Sequence, residues 1–273
     1  MKLFGLLLSI CIISATLQAQ TPQRPKLVVG IVVDQMRWDH LYRFNNRYSA
    51  DGFNRLLKDG FSCDNTFIPY TPTYTAPGHA SIYTGSVPAL NGIMGNSWYS
   101  KELGRVMYCV EDNSVQPVGT TSAAGRMSPK NLVSTTISDE IRLAQNFKNK
   151  TVAIAIKDRG AVLPGGHTAN GSCATIADTH ADADAASFIS SSFYMNELPA
   201  WVKAFNARRL PDAYLRQPWN TLFDMETYTQ STADNKPYES NLPGEDNTFP
   251  HQADTTKANR YEYFKYIPAA NTY

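Results

Sequence analysis

At 273 residues the chain has room for one large domain, or one domain with a long insertion, and its 42% of apolar residues excludes a disordered chain. Its 25 basic and 24 acidic residues leave a net charge of +1, so bulk charge favours neither nucleic acid nor an anionic membrane as partner.

Lys2 followed by the apolar run Leu3 to Ile13 has the form of a secretory leader, and the run is too short to span a bilayer. Small residues at Ser14, Ala15 and Ala19 place the cleavage zone, so residues 1–20 are expected to be a signal peptide. Cys11 lies inside the apolar run rather than at its end, which argues against a lipid anchor. Cleavage leaves Cys63, Cys109 and Cys173, an odd count that allows one disulfide without identifying the pair. With no C-x-x-C present, a thiolate zinc site has little support.

Leu27 to Val33 (LVVGIVV) reads as a buried parallel-type strand ending at Asp34. Phe53, Leu56 and Leu57 recur at helical spacing, with Gly60 placed for a left-handed helix end. Phe61 to Ile68 reads as a second strand, and Thr75 with Ala76-Pro77 as the cap and opening turn of a small-residue helix. Ser128 and Pro129 predict another helix start, followed by the stripe Val133, Ile137, Ile141 and Ala144. Thr151 to Ile156 (TVAIAI) reads as a buried strand running into Lys157-Asp158-Arg159-Gly160. Alternating strand and helix predict an α/β fold: a doubly wound, mostly parallel sheet flanked by helices. Residues 174–187 read as a solvated Ala/Asp-rich loop. Trp201, Val202 and Phe205 read as a short amphipathic helix, and the chain from about Leu210 as a loop-rich insertion or cap.

Several residues at these strand and helix ends are equipped for chemistry. Asp34 closes an apolar strand, where a carboxylate serves either as metal ligand or base, or simply as a turn former. Thr75 at a helix start is a cap by default. The free N–H groups and partial positive charge there also suit a phosphate, and the hydroxyl becomes a nucleophile only if a metal stabilises its alkoxide. Lys157 and Arg159, two apart on an extended chain, point the same way with Asp158 opposite and would together hold a phosphoryl group; otherwise they are surface charges. Asn96, after a Gly-rich turn, either donates to a phosphoryl oxygen or bonds its own turn. His79 reads as a packing residue one turn into the helix after Thr75, and His167 lies near the Lys/Arg strand end. Asp178, His180, Asp182 and Asp184 are read as a solvated face rather than a metal cluster.

Taken in order, VVDQMRWDHL, PTYTAPGHASIYTGSVPALNGIMGNSWY, YCVED, GRMSPKNLVSTTISDEIR, IAIKDRGAVLPGGHTANG and YMNELPAWVKAFN resemble the bacterial phosphate-irrepressible alkaline phosphatases. These belong to the alkaline phosphatase superfamily and are kin to the nucleotide pyrophosphatase/phosphodiesterases. The resemblance runs from about Pro25 to Tyr273. It implies an exported, periplasmic, monomeric phosphomonoesterase with two zinc ions and a cleaved signal peptide, acting on small phosphomonoesters, without nucleic-acid partners or a membrane span. By motif, it makes Asp34 a zinc ligand and Thr75 the nucleophile that forms a phospho-enzyme and touches the same metal. Asn96, Lys157 and Arg159 then hold the phosphoryl oxygens. The related diesterases share the Thr and Asn but lack the Lys/Arg pair, which separates the branches. Thr75-Ala76-Pro77-Gly78-His79 departs from the C/S-x-P-x-R frame of sulfatases at both the nucleophile and the arginine.

Family members are about twice this length, with the other zinc ligands, two Asp-His groupings and a late His, in their second half. The expectation is therefore an N-terminal half: residues 21–206 as part of the α/β domain, 207–273 as a loop-rich insertion, and further ligands beyond Tyr273. On its own such a chain is expected to be inert or to bind phosphate weakly. The Ala/Asp stretch between Cys173 and Ser187 replaces an aromatic segment of the family, through divergence, insertion or a frame error.

Overall fold

The computed structural model describes residues 24–175, 186–242, 247–257, 260–264 and 266–268. The expected signal peptide and the residues Asp178, His180, Asp182 and Asp184 lie outside them. The chain divides into two units, one ending at Gln35 and one running Met36–Tyr273.

In the first unit the apolar run does not form a strand. Leu27 to Val33 carries no ladder, and its side chains are exposed, Leu27 and Ile31 each to 78%. A strand exists only where a neighbour supplies hydrogen bonds, and hydrophobicity alone does not provide one. Asp34 is exposed in a turn, followed by Gln35 in the left-handed region at φ 62°.

The second unit opens with short helices α1 (His40–Arg43) and α2 (Phe53–Asp59). Gly60 follows α2 with an extended backbone, φ −98° and ψ −172°, rather than the left-handed one expected. Glycine is needed there for another reason: a Cβ at Gly60 would collide with the Leu56 carbonyl oxygen. Residues 61–68 are exposed and form no strand, with Phe61 at 92%.

Helix α3 (Thr75–Thr84) ends on Gly85 at φ 63°, and α4 (Pro88–Asn91) on Gly92 at φ 86°. An antiparallel hairpin follows, β1 (Ser97–Ser100) with β2 (Arg105–Tyr108), in the register Ser97↔Tyr108 to Ser100↔Arg105. It was not legible in the sequence.

The larger sheet runs β3 (Pro117–Val118), β6 (Phe188–Ser191), β5 (Gly171–Thr175), β4 (Val152–Ala155). Only β4 and β5 are parallel; β6 is antiparallel to both its neighbours. Helix α6 (Asp158–Gly165) is the crossover between the parallel pair and packs on both strands. The α/β class is as expected, and the described strands form a mixed sheet.

Helix α5 (Ile137–Ala144) starts eight residues after the expected Ser128-Pro129 opening. The Ser128 hydroxyl is occupied by the Asp112 carboxylate at 2.6 Å, while Thr136 and Asp139 form a reciprocal capping box that starts the helix. Its buried positions are polar, Asp139 and Arg142, whereas Ile137 is 53% exposed. Helix α7 (Ala200–Ala207) matches the expectation and buries Val202 against Val118 and Leu198. Beyond it α8 (Leu210–Leu215) and α9 (Arg260–Phe264) share a cluster of Leu215, Tyr261, Phe264 and Ile267.

The core that positions the site joins α3, the end of the hairpin and α6 through Ala76, Ala80, Ile93, Val110, Val162 and Leu163. Ile93 and Leu163 have no exposed surface, and burying each contributes roughly 1.5–3 kcal/mol. Cys63 is exposed, Cys109 and Cys173 are buried, and all three are free.

Candidate active site

Helix α3 begins on Thr75 itself. Tyr74 holds the capping position with φ −69° and ψ 165°, so Thr75 is the first helical residue, one place further in than the expected cap. Pro77 falls in the first turn, where its missing N–H leaves no helical bond unmade. The Ala76 N–H, an orphan donor of this turn, donates to Asn96 Oδ1 at 2.9 Å. Asn96 is thereby tied to the helix end that Thr75 opens. Its amide nitrogen makes no hydrogen bond among the described residues.

His79 is buried, with Nδ1 2.8 Å from the Thr75 carbonyl oxygen one turn back. It is a packing residue, as read from the sequence. Its ring faces α6: a Cβ built on Gly160 would lie 3.8 Å from His79 Nε2 and only 3.0 Å from the Ala155 Cβ. Helices α3 and α6 thus meet closely near their starts.

The chain enters α6 as soon as β4 ends. Lys157 caps it with extended backbone, φ −106° and ψ 137°, and Asp158 and Arg159 are already helical. The expected extended K-D-R, with Asp158 pointing away from both cations, is therefore not what forms. Lys157 is exposed and makes no ion pair among the described residues. Arg159 is half-buried and meets Tyr108, to whose hydroxyl it donates from Nη1 at 2.8 Å. The Tyr108 hydroxyl in turn donates to Asp158 Oδ1 at 2.5 Å.

Asn96 and Tyr108 share one end of the hairpin. Tyr108 pairs with Ser97, and the Cys109 N–H donates to the Asn96 carbonyl oxygen at 3.0 Å. The hairpin end consequently bridges the Thr75 helix to the Arg159 helix. Burial, then the Asp158 charge, raises the Tyr108 hydroxyl above its ordinary range, so it stays protonated. Burial likewise pushes Cys109 up to about 12 and Cys173 up to about 11, which removes both thiols as nucleophiles.

His167 does not join this arrangement. Its Nε2 lies 2.9 Å from the Leu132 carbonyl oxygen and its Nδ1 3.5 Å from the Asp139 carboxylate. Burial works to raise the Asp139 carboxyl, but bonds from His167, Thr136 and Thr168 outweigh it and hold the group well below the usual range. The Asp139 partnership raises His167 against a smaller opposing effect of burial.

Asp34 belongs to the first unit, and Thr75, Asn96, Lys157 and Arg159 belong to the second. A carboxylate and a hydroxyl suit a divalent cation in kind, but two donors do not complete a centre. No group of three or more His, Cys, Asp or Glu able to hold a metal occurs among the described residues.

With 46% identity and a TM-score of 0.84 over 91% of its length, the fold matches the crystal structure of alkaline phosphatase PafA, covering 47% of that chain. This is the α/β architecture of the alkaline phosphatase superfamily. Within it, the chain belongs to the type I phosphodiesterase / nucleotide pyrophosphatase family, which it matches over residues 28–255. It is 56% identical over 255 residues to alkaline phosphatase PhoV of Synechococcus elongatus, covering 93% of this chain and 45% of that protein. It is 50% identical over 260 residues to a protein of Myroides odoratus named calcium-transporting ATPase, covering 94% and 46%. To PafA of Elizabethkingia meningoseptica it is 47% identical over 261 residues, again covering 94% and 46%. The chain spans about half the length of the curated relatives it matches. Among the described residues no helix is long and apolar enough to cross a membrane.

Proposed function

We propose that this chain carries the nucleophile and the phosphate-holding groups of an exported, periplasmic, zinc-dependent phosphomonoesterase. The observation that carries the reading is the bond from the Ala76 N–H to Asn96 Oδ1. It brings the Asn96 side chain to the helix N-terminus that Thr75 opens, a setting suited to an anion. The Thr75 hydroxyl gives its proton to solvent and its oxygen attacks phosphorus, the bond to the ester oxygen breaks, and the leaving alkoxide takes a proton from water. Water then attacks phospho-Thr75 and loses a proton to solvent, the bond to Thr75 breaks, the Thr75 oxygen regains a proton, and inorganic phosphate leaves. Asn96 donates to one phosphoryl oxygen, while Lys157 and Arg159 neutralise the dianion. Asp34 and Thr75 are the zinc ligands that the family motif implies, and zinc there would favour the ionised Thr75 hydroxyl.

The names of PhoV and PafA support monoesterase activity, and the small-molecule substrate class and monomeric state are proposed with it. In the full-length protein, Thr75→Ala is expected to lower p-nitrophenyl phosphate turnover by on the order of a thousandfold or more. Unchanged turnover would overturn the nucleophile. The 273-residue chain alone is expected to be inert, and two tightly held zinc ions per chain would contradict that.

A second reading, phosphodiester or nucleotide pyrophosphate cleavage, is favoured by the description of the matched family. Bis(p-nitrophenyl) phosphate turned over faster than the monoester would support it.

A further inference from the structure

Arg159 and Asp158 are adjacent and oppositely charged, yet among the described residues Arg159 makes no ion pair. The reason is the Tyr108 hydroxyl between them. It gives its only proton to Asp158 Oδ1 at 2.5 Å and accepts from Arg159 Nη1 at 2.8 Å. Asp158 is further occupied by the Arg159 backbone N–H at 2.6 Å. One of the five guanidinium N–H donors is thus engaged, by a neutral group. Arg159 Nε is buried and has no hydrogen-bond partner among the described residues.

Tyr108 is itself firmly mounted. Its backbone N–H donates to Glu111 Oε2 at 2.9 Å, and Glu111 pairs with Arg105 at 2.5 Å. Its ring lies against the core shared by α3 and α6, and the guanidinium carbon sits 6.0 Å from the ring centroid. A long arginine side chain loses considerable rotamer freedom when fixed, so a rigid acceptor that fixes it beforehand assists anion binding.

We propose that Tyr108 is a positioning residue, whose hydroxyl holds Arg159 off Asp158 and keeps its charge and remaining donors for a phosphoryl dianion. Without the hydroxyl, Asp158 captures Arg159 and neutralises it in place of substrate. The inference rests on the role proposed above for Arg159.

The test compares parent, Tyr108→Phe, Arg159→Ala and the double variant, all full-length, on p-nitrophenyl phosphate and bis(p-nitrophenyl) phosphate. Tyr108→Phe is expected to lower monoester kcat/KM roughly ten- to a hundredfold and diester kcat/KM much less. In the Arg159→Ala background it adds no further loss, because its effect passes through Arg159. Tyr108→Phe/Asp158→Asn removes both partners of the bond, which protects folding, and is expected to recover at least threefold of the Tyr108→Phe loss. Losses that add fully, or fall equally on both substrates, would overturn the proposal, as would an absence of recovery. If Arg159→Ala leaves the parent rate unchanged, the role of Arg159 fails and this inference with it. If Arg159→Ala slows the enzyme and Tyr108→Phe does not, only this inference fails.

Discussion

Asn96 Oδ1 stands 2.9 Å from the Ala76 backbone nitrogen, so an asparagine twenty residues away closes the first turn of the Thr75 helix. The two ends of one amide would then have separate duties, the oxygen for the helix and, in the proposed role, the nitrogen for a phosphoryl oxygen. Asn96→Asp keeps the acceptor and replaces the donor with a second, negatively charged acceptor. Stability is expected to hold or rise slightly, since a carboxylate favours a helix N-terminus. Monoester turnover is expected to fall roughly a hundredfold or more. Thermal melts alongside kinetics check both halves, and a parallel fall in the two would show that the nitrogen has no separate duty.

In the role proposed for them, Lys157 and Arg159 would separate monoester from diester chemistry by charge, because a monoester dianion carries one negative charge more. Replacing both with alanine is expected to cost monoester kcat/KM at least tenfold more than diester kcat/KM. Steady-state rates on the paired p-nitrophenyl substrates measure the ratio, and equal losses would favour the diesterase reading.

His167 and Asp139 give the fold a pH dependence whose sign is fixed by their shifts. His167 is raised from 6.5, so its contribution is complete below that value and fades as pH rises through the folded-state value. Asp139 is depressed, so its contribution is present above the ordinary carboxylate range and is lost only in strong acid. The melting-temperature gap between parent and His167→Gln should be wider at about pH 6 than at about pH 9. Asp139→Asn should remove that difference. A gap that widens in alkali would mean the pair does not act this way.

Gly166, at φ 68°, faces the same cluster: a Cβ there would collide with the Asp139 carboxylate and the Thr136 hydroxyl. Gly104, at φ 65°, has open space around the same position. Gly104→Ala bears backbone strain alone, about 1–2 kcal/mol. Gly166→Ala must also displace a capping box and is expected to cost about 2 kcal/mol more. Urea unfolding of the two variants measures the difference, and equal costs would refute the clash.

Local chemistry in the sequence located what local chemistry builds. The helix opened near Thr75, the strand inside TVAIAI and the helix over Ala200–Ala207 follow from proline placement, β-branched runs and apolar spacing. Leu27 to Val33 and Phe61 to Ile68 have the same apolar signal without the outcome, because strands need partners that no short window specifies. Ser128 and Pro129 have the form of a helix start, but the Ser128 hydroxyl belongs to Asp112 and helix α5 opens later. Tyr108 lies in YCVED, and no local signal there reveals a role, since its partners Asp158 and Arg159 are about fifty residues on. Asn96 was legible as a donor, but not as the lock on the Thr75 helix.

Ser97 faces Tyr108 in the hairpin, and that pairing has a mechanical meaning for the rest of the molecule. Side chains alternate along a strand, so a slip of one residue would send the Tyr108 ring to the opposite face while Asn96 stayed on its helix. The exposed turn Lys101–Gly104 sets the count that prevents the slip. One residue inserted there would uncouple nucleophile from arginine without altering either, making an unremarkable surface loop the gauge by which two helices are aligned.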